Sequence, residues 1–205
     1  MALTLKPYNS TDGYVLKTMQ GINMFPKGDN YIQYGASATI ASSTTETSLL
    51  KPASQVPQIS GNPNVPSILL PCLPAGSAAY GTIYKGKLVG TIANTGTPNL
   101  QIRVVLKNAA GTVVYALADS TAIAMTTVST SDFEVQFDSQ VRAIGTSGTY
   151  GSRVNFRYGT TTVYTAYADV TVDTTADYYI DVLLTWGASS ASNTATIKWV
   201  EFEVS

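Results

Sequence analysis

The residues of this chain that could carry chemistry are carboxylates and tyrosines, because its 205 residues include no histidine and a single cysteine. Histidine is the usual general base near neutral pH and the commonest metal ligand. Its absence excludes Ser-His-Asp and Cys-His nucleophile arrangements. One cysteine excludes an internal disulfide. Cys72 sits in the apolar run Ser67-Ile68-Leu69-Leu70-Pro71-Cys72-Leu73-Pro74, where a thiol with no imidazole to ionise it acts as a small hydrophobe. Glycosidases work with two carboxyl groups alone, so Glu134 with Asp138 and Glu201 with Glu203 are the pairs to weigh. The first alternates with Phe133, Val135 and Phe137, as a solvent face should. The second closes the chain, where strands are often charged. The expectation is a protein that is not an enzyme, with no catalytic residues, no metal site and no cofactor.

The most regular acidic pattern is Asp169, Asp173, Asp177 and Asp181, each four residues from the next. Two readings are open. In a hairpin, Asp173 and Asp177 flank the turn Thr174-Thr175-Ala176, where Asp side chains bond the backbone two residues on. Alternatively the oxygens bind calcium, although the segment lacks the ligand order and glycine of an EF-hand. Thirteen tyrosines raise a second chemistry, since sugar rings stack on exposed aromatic faces. Tyr158, Tyr164 and Tyr167, around the Gly159 turn, form the candidate glycan platform. Tyrosine is equally a favoured strand and interface residue. Arg153 and Arg157 share one strand and read as a salt-bridged face. With a net charge of −1 no basic patch is dense enough to neutralise phosphates, so no nucleic-acid partner is expected.

The elements that must hold these groups are strands. Only 12% of the residues are charged, against roughly 25% usually, and Ser and Thr make up about a quarter. Hydroxyl-rich, charge-poor sequence suits pleated surface and makes poor helix. Leu100, Ile102, Val104 and Leu106 point one way while Gln101, Arg103 and Lys107 point the other. Phe133, Val135 and Phe137 alternate with Glu134, Gln136 and Asp138. Ile180, Val182, Leu184 and Trp186 share a face opposite Tyr179, Asp181 and Thr185. Each is the period of a strand with one wet face. The clusters Asn94–Pro98, Asn108–Gly111, Gly145–Gly148 and Gly187–Ser190 supply antiparallel turns. In the last strand Ile197 and Trp199 are in one phase and Val200, Phe202 and Val204 in the other, which predicts a β-bulge or a change of sheet.

The organisation follows from these patterns. Residues 1–35 read as an extended N-terminal arm, too rich in large apolar side chains to be a solvated tail. Residues 36–205 read as an all-β, two-sheet antiparallel β-sandwich, jelly-roll-like in character. Within it lies a Pro-rich crossing at 51–74, which holds six of the nine prolines and so cannot be a central strand. The N-terminus, Met1-Ala2-Leu3-Thr4-Leu5-Lys6-Pro7, has no long apolar stretch, so neither a signal peptide nor a membrane partner is expected.

Two long stretches carry a resemblance. One runs through Glu46-Thr47-Ser48-Leu49-Leu50, Leu70-Pro71-Cys72-Leu73-Pro74-Ala75-Gly76-Ser77, Tyr84-Lys85-Gly86-Lys87-Leu88-Val89-Gly90 and Asn94-Thr95-Gly96-Thr97 to Leu100-Gln101-Ile102-Arg103-Val104. The other is Val172-Asp173-Thr174-Thr175 followed by Leu184-Thr185-Trp186-Gly187-Ala188-Ser189-Ser190-Ala191-Ser192-Asn193-Thr194-Ala195-Thr196-Ile197. Their order resembles the jelly-roll structural proteins of tailed bacteriophage virions, on turn and strand residues across roughly residues 45–200. The resemblance implies a capsid decoration (cement) protein: made in the host cytoplasm, resident on the capsid surface of the virion, homotrimeric, and bound to the major capsid protein. A tail-tip or head-fibre module that binds a receptor glycan is the alternative within that group. The contacts to a capsid partner would come from the arm, at Tyr8, Tyr14, Met24, Phe25, Pro26 and Tyr31. Packing of these six against their own sandwich is the other reading, and both stand.

Overall fold

The structure, a computed structural model, describes residues 39–50, 72–73, 75–108 and 110–205, together with the backbone of 16–17, 23–24 and 30–34. Among the described residues there are eight long strands and no helix. They are β1 (Ile83–Asn94), β2 (Asn99–Lys107), β3 (Val113–Asp119), β4 (Val128–Ala143), β5 (Gly148–Tyr158), β6 (Thr161–Val172), β7 (Tyr178–Trp186) and β8 (Thr194–Val204). The alternation seen in the sequence is the alternation of burial: Leu88 and Ile92 of β1, or Phe133, Val135 and Phe137 of β4, are buried while their neighbours face out. The turn clusters connect the strands, and Gly96, Gly111 and Gly145 take φ of 72°, 79° and 108°, a region that side chains with a Cβ avoid.

Two antiparallel sheets form the β-sandwich. One has the order β6-β5-β4-β1-β8, and the other is built on β7-β2-β3. The roll-like part is a nesting of ends: β1 pairs with β8, and β2 pairs with β7. From the other side of β1, the strands β4, β5 and β6 continue as a meander. Between the sheets the core packs Trp186, Leu100 and Leu106 against Phe133, Phe137 and Phe156, all fully buried. Phe133 meets Phe156 edge-on at 6.2 Å, and Phe137 lies 5.8 Å from Phe202. The phase slip in the last strand is a bulge: Ile197 faces Gly90 and Trp199 faces Val89, with Lys198 the extra residue.

One sequence expectation is corrected. The outer face of the β7-β2 pair was expected to be wet, yet Val105, Asp181 and Leu183 on it are buried. Thr47–Ser48 pairs with Leu183–Leu184 along the free side of β7, and Leu49 and Leu50 follow it into the interior. Asp181 is therefore enclosed with its partners. Lys107 Nζ lies 2.7 Å from Oδ2, while Ser48 Oγ (2.7 Å) and the Val182 N–H (2.8 Å) donate to Oδ1. Burial pushes this carboxyl above the ordinary range, opposed by the Lys107 ammonium and the hydrogen bonds from Ser48 and Val182.

Where the arm is described, its backbone joins this chain's own sheets. Residues 16–17 pair with 23–24, Met24 runs parallel to Cys72, and Asn30–Tyr34 pairs along β8 from Trp199 to Glu203. Of the Pro-rich crossing, Cys72–Leu73 is described and pairs with Tyr178–Tyr179; the remainder up to Pro74 lies outside the described residues.

Candidate functional site

The outer face of the β6-β5-β4-β1-β8 sheet is the widest described surface with a chemical pattern. Antiparallel registers line its side chains up in rows. Glu203, Lys85, Asp138, Arg153 and Tyr167 stand across the five strands in one row, and Trp199, Val89, Glu134 and Arg157 in another. Opposite charges directly across from each other stabilise the pairing of strands. Arg153 reaches Asp138 at 2.6 Å, Glu134 takes Arg157 at 3.0 Å and Lys87 at 3.2 Å, and Lys85 approaches Glu203 at 3.9 Å. The Lys87 ammonium also lies over the Trp199 ring at 5.9 Å. Nearly half of the chain's charges are here, and they balance. The cations are Lys85, Lys87, Arg142, Arg153, Arg157 and the bulged Lys198; the anions are Asp132, Glu134, Asp138, Asp169, Glu201 and Glu203.

One corner of this face is built differently. The β4–β5 register slips between Val141 and Ala143, which leaves Arg142 as the extra residue of a bulge. A bulge re-aims a side chain, and here it lays the guanidinium across β5 at Gly151. A Cβ on Gly151 would sit 2.5 Å from Arg142 Nε and 2.8 Å from the Tyr167 hydroxyl oxygen, so only glycine leaves this room. The guanidinium stacks over Tyr167 at 5.4 Å, a cation–π contact. Arg142 Nη1 (3.1 Å) and the Tyr167 hydroxyl (2.7 Å) both donate to Asp169 Oδ1. The bond to Asp169 raises the Tyr167 hydroxyl's pKa. Arg142 also lines an open hollow of about 360 Å³ with Tyr80, Gln140 and Val141. Tyr80 is 80% exposed and Tyr167 55% exposed, and with Ile144 and Val114 they are the exposed large hydrophobics among the described residues.

No protein-family model matches this chain, and no curated protein does.

The sequence candidates fall in separate places. Tyr167 stands on the outer face, but Tyr164 turns inward, where its hydroxyl donates to the Asp119 carbonyl at 2.7 Å. Tyr158 is half-buried against Phe156 and its hydroxyl meets Thr126 Oγ1 at 2.8 Å. The three tyrosines do not share one platform. The acidic series also disperses. Asp173 Oδ1 accepts from the Thr175 N–H (2.9 Å) and hydroxyl (2.6 Å), the turn chemistry anticipated for it. Asp177 caps the Ala75 N–H at 2.6 Å, Asp181 pairs with Lys107, and Asp169 belongs to the corner. No cluster of three or more metal-ligating side chains occurs among the described residues. Glu134 and Asp138 are each taken up by an arginine. Of the arm contacts, Met24 and Tyr31 lie in strands paired to their own sheets; Tyr8, Tyr14, Phe25 and Pro26 lie outside the described residues. Sequence reasoning missed Arg142, Gly151 and Tyr80, which only the strand pairing brings together.

The ion pairs on this face give a pH prediction. The hydrogen bond from Arg157, then burial in opposition, then Lys87, leave the Glu134 carboxyl below its ordinary range. A folded-state pKa below the unfolded one adds stability above the unfolded value, lost as pH falls through the folded one. Glu134→Gln is expected to lower stability at neutral pH by less than about 1 kcal/mol, since both cations are well exposed. The gap should close as the pH falls below the ordinary glutamate range and through the lowered folded-state value. Thermal melts of both proteins across this range check it; a gap that persists in acid contradicts it.

Proposed function

We propose that this chain is a virion structural protein without catalytic activity, a capsid decoration (cement) protein that binds and reinforces the major capsid lattice of a tailed bacteriophage. The observation that carries this reading is the charge-balanced outer sheet face. A surface that docks on a protein lattice needs broad hydrogen-bonding area, few uncompensated charges and a handful of Trp, Tyr or Arg anchors. Trp199, Tyr167, Tyr80 and Arg142 are side chains of that kind. A face whose charges sum to zero offers no field for a polyanion, and four of its six carboxylates, Glu134, Asp138, Asp169 and Glu203, are already engaged by cations. The sequence resemblance supplies the partner class, the homotrimeric state and the location on the capsid surface.

The arm remains the proposed reach across a subunit joint, through Tyr8, Tyr14, Phe25 and Pro26, with residues 30–34 as its root on β8. Co-sedimentation with expanded, DNA-free capsids tests this. The full chain is expected to bind saturably. Deleting residues 1–29, which leaves the 30–34 strand in place, is expected to weaken binding at least about tenfold, the loss of a few anchors. Absence of binding by the full chain would sink the decoration reading, and unchanged binding after truncation would remove the arm from it. A glycan-binding role at a tail tip or head fibre is the second reading, and the Arg142 corner is the feature that favours it.

A further inference from the structure

We infer that the hollow beside Arg142 is a binding site for a neutral saccharide, a pyranose unit with adjacent free hydroxyls. The inference does not rest on the capsid role. Its first support is the shape and lining of the hollow, about 360 Å³ and open, walled by Tyr80, Gln140, Val141 and Arg142. Such a volume is at the low end for small-molecule sites and suits one or two sugar rings. Tyr80 is 80% exposed, which leaves a large aromatic side chain open to a ligand at the rim of the hollow. The face of a pyranose carries C–H groups that pack on an aromatic ring, and its hydroxyls both donate and accept. Gln140 offers both functions in one amide, and Arg142 offers a planar fork of donors.

The second support is that Arg142 is pre-set. The bulge aims it, the missing Cβ of Gly151 admits it, and Tyr167 and Asp169, neither of which lines the hollow, hold it. Ordering a rotamer-rich side chain before binding removes a cost that would otherwise fall on the ligand. The Asp169 carboxylate also compensates the guanidinium charge. That favours an uncharged, hydroxyl-bearing ligand over a sialylated or phosphorylated one. Tyr167 and Asp169 are positioning residues here, and Tyr80, Gln140 and Arg142 are the contacts.

Gly151→Ala is the discriminating variant, because the nearest atoms to its new methyl are the side-chain ends of Arg142 and Tyr167 and not strand backbone. Folding should survive while the guanidinium leaves its place. The full-length chain is screened on an array of neutral and sialylated glycans, and hits are titrated by NMR or calorimetry. Neutral oligosaccharides are expected to bind in the millimolar to high micromolar range. Tyr80→Ala and Gly151→Ala should each weaken them at least about tenfold, equivalent to about 1.4 kcal/mol, at near-wild-type melting temperature. Arg153→Ala, on the same face outside the hollow, should leave binding unchanged. No glycan bound by the wild type, binding confined to sialylated glycans, or equal affinity in Gly151→Ala would each overturn the site. A chain that binds sugar but not capsids would refute the capsid role and leave this site standing.

Discussion

Lys107→Met is expected to destabilise the protein by about 3–5 kcal/mol at neutral pH, the cost of stranding one partner of a buried ion pair. For a domain of this size that corresponds to a drop in Tm of roughly 10 °C. The partner left behind is Asp181, whose side chain is 1% exposed, whereas Lys107 itself is 16% exposed and reaches towards water. Removing the lysine is therefore the harsher half of the experiment. Without the ammonium, only Ser48 and the Val182 N–H face the carboxylate, and burial raises its pKa further. The sign follows from proton counting. With the folded pKa above the unfolded one, the native state holds the extra proton in the interval between them, so stability falls as pH rises through it. Lys107→Met should thus recover stability as pH is lowered from 7 towards about 4, opposite to the behaviour of the Glu134 pairs. Lys107→Met with Asp181→Leu should lie within about 1 kcal/mol of wild type. Urea melts at two pH values check all three; a Lys107→Met loss that is small and independent of pH would mean that the pair is solvated.

Gly90→Ala is expected to cost about 3 kcal/mol or more, at the upper end for over-packing. Gly90 lies on the inward face of β1 between Ile197 of β8 and Phe133 of β4. A Cβ there would collide with the Thr196 carbonyl oxygen and stand 2.9 Å from the Ile197 Cα. Both are backbone atoms at the β8 bulge, so relief requires the strands to part. Gly86, two turns of the pleat away, makes the comparison. Its added Cβ meets the rings of Phe137 and Phe202, which can rotate, so Gly86→Ala should cost less than Gly90→Ala. Gly96→Ala meets no atom within 4 Å but carries φ of 72°, and should cost about 1 kcal/mol for backbone strain alone. The order Gly90, Gly86, Gly96 is read from chemical denaturation, and its reversal would contradict the registers of β1 with β4 and β8.

These two predictions fall where sequence and structure diverge. The alternation of Leu100 to Leu106 and of Ile180 to Trp186 was enough for two strands but misjudged their outer face, which is buried at Val105, Asp181 and Leu183, and the shift of phase after Ile197 was enough for the bulge. A bulge is visible in a sequence only when the residues on both sides of it are strongly patterned. The one at Arg142 is followed by Ala143 and Ile144, which are half-buried and exposed, so nothing in the phase marks it. The burial of Asp181 did have a signal. Val104-Val105-Leu106 and Val182-Leu183-Leu184 are apolar in both phases, the mark of strands covered on both faces, and that outweighs the polar residues at alternate positions. The tyrosines were beyond reach of sequence. Whether Tyr164 meets solvent or the Asp119 carbonyl is decided by strands some 45 residues apart, and the Arg142 corner gathers residues from Tyr80 to Asp169 through registers that periodicity does not contain.

The central claim concerns where the chain resides, and cryo-electron microscopy of the intact particle that carries it tests that most directly. The decoration role predicts sandwich density on the outer capsid surface, over joints between major capsid subunits, with the β6-β5-β4-β1-β8 face or the arm against the shell. Density for the same sandwich at the tail tip or on a head fibre, with none on the capsid, would contradict it.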